Sequence, residues 1–305
     1  LDLAALAAQG ERLLEGSAED ILPQYAAAGG ASGGARPKVI AGVSHDGRII
    51  ADGAPSALTG RTPTLPDGFT PYLIKFAARD DAAAYGRDVG AVEFAYWQLA
   101  QAAGIQMPRA QLFLAGDGNR WFGVQRFDRH GRGAHGRRHM HTLGGLLHAS
   151  HRLPSLDYEA FLAVSAHLTQ DMRQVDQAVR RMAFNVFAHN RDDHARNFAF
   201  LMDENGSWQL APAYDLTFSA GIAGYHTTSI AGESRTPTVR DMLRLARDSG
   251  LDARQATRAI DEVDAAVAQW PDVARALDIS GAVIARVGNV LDETRRAAQE
   301  RRGPL

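Results

Sequence analysis

The chain has 305 residues, 45% of them hydrophobic and 22% charged, a balance that suits one large domain or two packed lobes around a real core. It contains no cysteine, which excludes disulfides, thiolate metal sites and cysteine nucleophiles and makes the cytoplasm the simplest compartment. A formal charge of −2 supplies no general field for nucleic acid, and no apolar run approaches the ~20 residues that span a bilayer. The opening Leu1-Asp2-Leu3-Ala4 lacks the basic and apolar regions of a signal peptide and an initiator Met, so a fragment or processed form is expected.

Residues 1–28, rich in Ala, Leu and Glu, read as short helical pieces. A glycine-rich stretch, Gly29 to Lys38, then feeds the apolar Val39-Ile40-Ala41 as a strand. His45-Asp46-Gly47-Arg48 has a turn's composition, and Arg48-Ile49-Ile50-Ala51 is the returning strand. Pro63, Pro66 and Pro71 break up the next segment before the short buried strand Tyr72-Leu73-Ile74-Lys75-Phe76. Val92, Ala95, Tyr96, Leu99 and Ala103 recur at helical spacing, which predicts a helix from Gly90 to Ala103 with Gly104 as its C-cap.

Residues 110–114 and 121–127 read as strands, and 129–141, rich in Gly, Arg and His, as an exposed loop. Helical patterns dominate 156–190, with Val175, Val179, Met182, Ala183 and Val186 on the apolar face. A hairpin, 198–202 and 207–210, interrupts them. Thr238 with Asp241 forms a capping arrangement, and helices run on to about residue 300. Strands thus concentrate before about residue 127 and helices after it. The expectation is an α+β fold with a sheet-rich N-terminal lobe, 1–127, and a helical C-terminal lobe, 128–305.

Phosphoryl transfer needs a phosphate cradle, a cation, a base for the hydroxyl and ligands for magnesium. The glycine stretch offers backbone amides that side chains do not screen, although it is not a P-loop, because Val39 follows Lys38. A glycine-rich linker or turn fits it equally well. Lys75 stands among apolar strand residues and needs a partner, for which Glu93 on the following helix is the obvious carboxylate. A lysine on the solvent face of an edge strand is the equal alternative.

The most specific segment is His189-Asn190-Arg191-Asp192-Asp193-His194-Ala195-Arg196-Asn197. Its Asp192-x4-Asn197 has the spacing of the protein-kinase catalytic loop, in which Asp takes the hydroxyl proton and Asn binds magnesium. Asp192 is chosen over Asp193 because only it has that spacing. The following hairpin returns Asp215 beside Asn197, where a second oxygen ligand is required. Each residue alone reads better as a solvated loop or a cap; the ordered combination carries the assignment. His194 stands either as a structural group or as a phosphate contact. His135, His139 and His141 lack the carboxylate and helix-face spacing of a zinc site and read as a solvated or substrate-facing basic loop.

These motifs resemble the HipA-like serine/threonine kinases, toxins of type II toxin–antitoxin systems. The resemblance rests on Gly33-Gly34-Ala35-Arg36-Pro37-Lys38, Leu73-Ile74-Lys75-Phe76, Arg126-Phe127-Asp128-Arg129, Asp192 to Asn197, and Ala211-Pro212-Ala213-Tyr214-Asp215-Leu216. It implies a two-lobed protein-kinase-like fold that uses ATP and Mg2+. Gly33 to Lys38 would form the nucleotide loop, Lys75 would hold phosphate, and Gln125, Arg126 and Phe127 would be the hinge that meets adenine. Asp192 would be the base, and Asn197 and Asp215 the magnesium ligands. His194 and Tyr214 would line the nucleotide site, to which Ala195 and Arg196 also belong.

Full-length relatives carry a further N-terminal subdomain before the glycine loop, where this chain has only about thirty residues. The resemblance therefore implies a short form or a split one completed by a separate small protein. It also implies Ser32 as a regulatory phosphosite, a protein substrate such as an aminoacyl-tRNA synthetase, and a helix-turn-helix antitoxin through which DNA is met indirectly. A small-molecule kinase and a non-catalytic antitoxin-binding module are the alternatives.

Overall fold

The computed structural model describes residues 1–14, 36–52, 65–115, 118–131, 136–150 and 156–300. They form two compact units: Leu1–Phe94 with Pro108–Arg138, and Ala95–Met107 with His139–Leu305. The fold is α+β, sheet-rich in the first unit and helical in the second. The passage at 138 lies beyond the sequence boundary at 127. Within the stretch expected as a loop, Arg129–His130 and Gly136–Arg137 instead pair as a short ribbon, and Arg138 N–H donates to the Asp128 carbonyl at 3.0 Å.

The first unit is built on a five-stranded antiparallel sheet. β1 (Lys38–Ser44), β2 (Ile49–Ala51), β3 (Phe69–Lys75), β4 (Ala110–Leu114) and β5 (Arg120–Gln125) lie in the order β2-β1-β3-β5-β4. The turn expected at 45–48 joins β1 to β2, with Gly47 at φ 83° and Ser44 N–H bonded to the Arg48 carbonyl at 2.9 Å. Strand period 2 divides the side chains between two faces. One face carries Val39, Ala41, Val43, Ile74, Phe76, Phe113 and Trp121, and helix α1 (Leu3–Leu14) covers it with Leu3 and Leu6.

Pro71 does not break β3. A strand residue's N–H and carbonyl face the same neighbour, and the Pro71 carbonyl takes the Arg126 N–H at 2.9 Å. The missing donor therefore faces Arg126, just past the end of β5, so only the last bond of that ladder is forfeited.

After α2 (Arg79–Tyr85), α3 (Val89–Ala102) starts against β5. Gly90 makes this approach possible: a Cβ there would run into the Arg120 carbonyl and the Phe122 nitrogen. The helix ends in a Schellman motif, with Gly104 at φ 72°, Gly104 N–H on the Gln101 carbonyl and Ile105 N–H on the Ala100 carbonyl. The predicted C-cap is thus the observed one.

The ribbon pairs β6 (Arg129–His130) with β7 (Gly136–Arg137). Its continuation, β8 (His139–Thr142), belongs to the second unit. It pairs with β9 (Ala199–Met202), which pairs in turn with β10 (Trp208–Leu210) in a three-stranded sheet. His139 and His141 are strand residues there; His135 lies outside the described residues. α4 (Leu143–Leu146) follows β8. α5 (Tyr158–Thr169) and α6 (Met172–Phe187) are capped by Asp157 and Asp171, each accepting a backbone N–H.

α6 is the core helix. Val175, Val179, Met182, Ala183 and Val186 are all buried, as the periodicity requires, against α5, α8 (Ala253–Val267) and α10 (Gly281–Glu300). α7 (Val239–Asp248) opens with the Thr238/Asp241 capping box, and α9 (Trp270–Ala276) precedes α10. No helix among the described residues is long and apolar enough to cross a membrane.

The close approach of α3 generates a test. Gly90→Ala forces helix and strand apart and lowers the stability of the first unit by about 1–3 kcal/mol. The urea midpoint followed by tryptophan fluorescence reads this directly.

Candidate active site

In the first unit the phosphate-binding candidates gather on the sheet face opposite α1. Lys75 is only 8% exposed, and its Nζ lies 2.5 Å from Oε1 of Glu93, which is 3% exposed. The other carboxylate oxygen of Glu93 takes Nη1 of Arg36 at 3.3 Å. Beneath the ammonium lies the Phe122 ring, 5.9 Å away, on the residue paired with Lys75 across β5.

Lys38 is the direct cross-strand partner of Lys75. Phe76 N–H bonds to the Pro37 carbonyl at 2.8 Å, so the adjacent Lys38–Lys75 pair is of the non-hydrogen-bonded kind. In such pairs the Cα atoms stand about 4.5 Å apart and the side chains lie closest. Like charges placed directly opposite destabilise a sheet unless an anion lies between them. Lys75 and Arg36 thus share one carboxylate, and Lys38 stands directly across the strand pair from Lys75.

Only two of the 33 lysines and arginines in the whole chain are lysines, and they are these two. That composition signal was available in the sequence. The partnership of Arg36 with Glu93 was not. Gly33, Gly34 and Ala35, like Ser32, lie outside the described residues.

Of the expected hinge, Gln125 N–H bonds to the Arg109 carbonyl at 2.8 Å and Arg126 N–H to the Pro71 carbonyl. Both donors are therefore engaged within the sheet. The Arg126 side chain grips Asp128 through two bonds, 2.9 and 2.6 Å, and Phe127 occupies the turn between them. Burial raises the Asp128 carboxyl, but the bonds from Arg126 and the charges of Arg126 and Arg129 outweigh it and hold the group below the usual range.

In the second unit α6 ends with His189 in the left-handed region, φ 52°, and Asn190 N–H reaches back to the Asn185 carbonyl at 2.9 Å. That reversal throws out the loop 190–197. Asp192 is exposed, and its carbonyl accepts Nδ2 of Asn197 at 2.8 Å. With the nitrogen engaged, the oxygen is the atom of Asn197 that a cation would take. Nδ1 of His194 accepts the Arg196 N–H at 3.3 Å, the Ala195 carbonyl accepts the Gly144 N–H at 3.0 Å, and the Arg196 carbonyl takes the Tyr214 hydroxyl at 2.5 Å. This last bond ties the residue before Asp215 to the residue before Asn197.

Asp215 itself adopts φ 58°, a left-handed conformation unusual for a residue with a Cβ. Downstream, Ser219 bridges to Asn190 and exchanges backbone bonds with His189 and Arg191, while Phe218 stacks on His189 with centroids 5.3 Å apart. Among the described residues no group of three His, Asp or Glu side chains forms a metal cluster. A carboxylate with an amide oxygen suits a hard cation that keeps its remaining ligands from water and phosphate.

Asp193 has a different role from its neighbour. It is fully buried and accepts four bonds: Tyr158 Oη at 2.9 Å and His226 Nδ1 at 3.0 Å on one oxygen, the Thr227 and Thr228 amides at 2.8 and 3.2 Å on the other. Tyr158 in turn accepts from Asn185, which accepts from Asn190. The carboxylate therefore fastens the loop to segment 226–228 and is unavailable for chemistry. Sequence separated Asp192 from Asp193 by spacing alone; the structure separates them by burial.

Electrostatics in this unit follow burial. Tyr214 is pushed above the ordinary tyrosine range by burial and then by Asp215, against the opposing charge of Arg181. Burial brings Arg181 itself down to about 9. Burial, reinforced by the charges of Arg191 and His226, lowers His189 to about 4, so it is neutral at physiological pH.

Two tests follow from these bonds. Asp193→Ala strands two amides and a phenol in the interior and costs about 3 kcal/mol or more in the denaturant midpoint. For His189 the unfolded chain binds the extra proton, so its contribution is complete above the ordinary 6.5 and is lost as pH falls towards about 4. His189→Gln flattens that part of the stability profile between pH 6.5 and 4 relative to the parent.

Comparison with known proteins bears on the family and the fold. The profile of the HipA-like C-terminal domain matches residues 30–270. Among solved structures, HipA of Shewanella oneidensis MR-1, in its complex with HipB and operator DNA, superposes with a TM-score of 0.66 at 16% identity. That match covers 87% of this chain and 64% of that one, and it is a likeness of fold. The proinflammatory kinase CtkA of Helicobacter pylori aligns at 12% identity over 77% of this chain and 90% of its own, with a TM-score of 0.49, too low to argue from. No curated protein matches. With more than half of its length inside that profile, the chain belongs to the HipA-like C-terminal domain family.

Proposed function

We propose that this chain is an ATP-dependent kinase that transfers phosphate to a serine or threonine hydroxyl of a protein. The observation that carries the reading is the buried ion cluster on the sheet face, where Lys75 and Arg36 both pair with Glu93 and Lys38 stands directly across the strand pair from Lys75. Glu93 holds the Lys75 ammonium in place, so that little reorganisation is needed when phosphate arrives. The glycine stretch Gly33 to Lys38 is the proposed loop over the phosphates, and Gln125 to Phe127 the proposed adenine contact.

In the helical unit, exposed Asp192 takes the proton of the attacking hydroxyl as its oxygen bonds to the γ-phosphorus and the bond to the ADP oxygen breaks. Asn197 and Asp215 would hold Mg2+, which when bound supplies charge neutralisation for the phosphates. His194, Ala195, Arg196 and Tyr214 shape that segment through the bonds already described. The exposure of Asp192 beside a buried Asp193 supports this division of roles. An aminoacyl-tRNA synthetase is the substrate suggested by the family.

A second reading adds a partner. HipA of Shewanella oneidensis was solved with HipB and operator DNA, and a helix-turn-helix antitoxin is the corresponding proposal for this chain. A formal charge of −2 gives the chain alone little hold on DNA, so operator contact is proposed to run through the antitoxin.

The assays are direct. With γ-labelled ATP and Mg2+, Asp192→Asn lowers phosphotransfer by about 100- to 10,000-fold while MgATP binding by calorimetry persists. Asp215→Ala loses the Mg2+-dependent part of the affinity. In a gel shift at physiological salt the chain alone leaves operator DNA unmoved and shifts it when the antitoxin is present. Nucleotide binding with transfer to a small alcohol in place of protein would assign a small-molecule kinase. Absence of nucleotide binding would leave the non-catalytic module.

A further inference from the structure

Two adjacent arginines on α6 are treated very differently by the fold. Arg180 is paired with two carboxylates, Asp176 at 2.8 Å and Glu262 at 2.7 Å, and donates to the Ala103 carbonyl at 2.9 Å. Arg181 is 2% exposed, and among the described residues no carboxylate pairs with it. Its Nη2 donates to the Ala211 carbonyl at 2.6 Å, and its Nε and Nη1 find no acceptor among the described residues. An unpaired guanidinium in the interior works against folding, so packing does not account for it.

Its one strong bond lands at the base of the segment that carries Asp215. Ala211 N–H is held by Ala199 at 2.9 Å, Ala213 N–H by Gln106 at 2.8 Å, and the Tyr214 hydroxyl by Arg196. Immediately after these points the chain enters the left-handed conformation of Asp215. A disfavoured backbone state persists only where its surroundings over-determine it. Arg181 supplies the bond from below that the hairpin's own ladder, ending at Leu210, no longer gives.

We propose that Arg181 is a positioning residue that holds Pro212 to Asp215 in the geometry presenting the Asp215 carboxylate to a divalent cation. The proposal rests on Asp215 being a cation ligand, as argued above. Charge removal at Arg181 is then not costly to the fold but costly to cation binding, a combination that a structural arginine would not give.

The test compares the full chain with Arg181→Met, Arg181→Lys and Asp215→Ala. Three quantities are measured: the melting temperature, amide hydrogen exchange across residues 211–216, and ATP affinity with and without Mg2+. Arg181→Met is expected to melt no lower than the parent and to exchange faster at Ala213 to Leu216. It should also lose about tenfold or more of the Mg2+-dependent gain in affinity, with Mg2+-free ATP binding unchanged. Arg181→Lys, which keeps a donor for Ala211, recovers most of that gain. A lower melting temperature with faster exchange throughout the helical unit would make Arg181 merely structural and overturn the proposal. If Asp215→Ala loses the gain while Arg181→Met keeps it, this proposal fails and the kinase reading stands. If the parent shows no Mg2+-dependent gain, both fall.

Discussion

A lysine buried in the middle of a sheet dictates much of the first unit. Lys75 is fixed on β3 by flanking apolar residues that must face the α1 side, and the period of two leaves its ammonium on the other face. Burying that charge unpaired is costly, so a carboxylate has to arrive from whatever covers the face. Glu93 does so from the first turns of α3, and α3 comes close enough only because position 90 has no side chain. The same carboxylate then takes Arg36, at the end of the glycine stretch, and the β1–β3 register sets Lys38 directly opposite Lys75. A strand, a helix and a loop end are thus ordered around one ion pair.

The helical unit solves a similar problem with the opposite sign. Asp193 is satisfied by hydrogen bonds from two amides, a phenol and an imidazole, and among the described residues no arginine or lysine forms an ion pair with it. Those donors come from α5 and from segment 226–228, so one buried carboxylate organises the loop while Asp192 beside it stays in solvent. Adjacent aspartates thus divide the work: the dry one fixes the loop and leaves the exposed one on a rigid support, as the proposed base requires.

The elements that periodicity and turn chemistry govern were legible in the sequence: the 45–48 turn, the α3 helix with its Gly104 cap, the α6 face and the Thr238 capping box. Pairing across the sequence was not. Residues 139–142 look like a polar loop because β8 borrows its order from β9, and Pro71 looks like a breaker because the end of β5 is invisible locally. Within the candidate site, Lys75 with Glu93 followed from the rule that buried charges need partners. Arg181 did not, because an arginine in a helical pattern reads as surface until its burial is known. The two lysines among 31 arginines were a stronger sequence signal than any single motif, since an otherwise arginine-rich chain keeps a compact ammonium only at two cross-strand positions.

That pair also offers the most direct measurement of whether the chain grips nucleotide phosphates. An acyl-phosphate derivative of ATP delivers its acyl group to lysines lying at the phosphates, and with two lysines in the chain the labelled peptide identifies the site without ambiguity. The account predicts label on Lys75 or Lys38 that excess MgATP abolishes. Label that MgATP does not displace, or no label on either lysine, would contradict it.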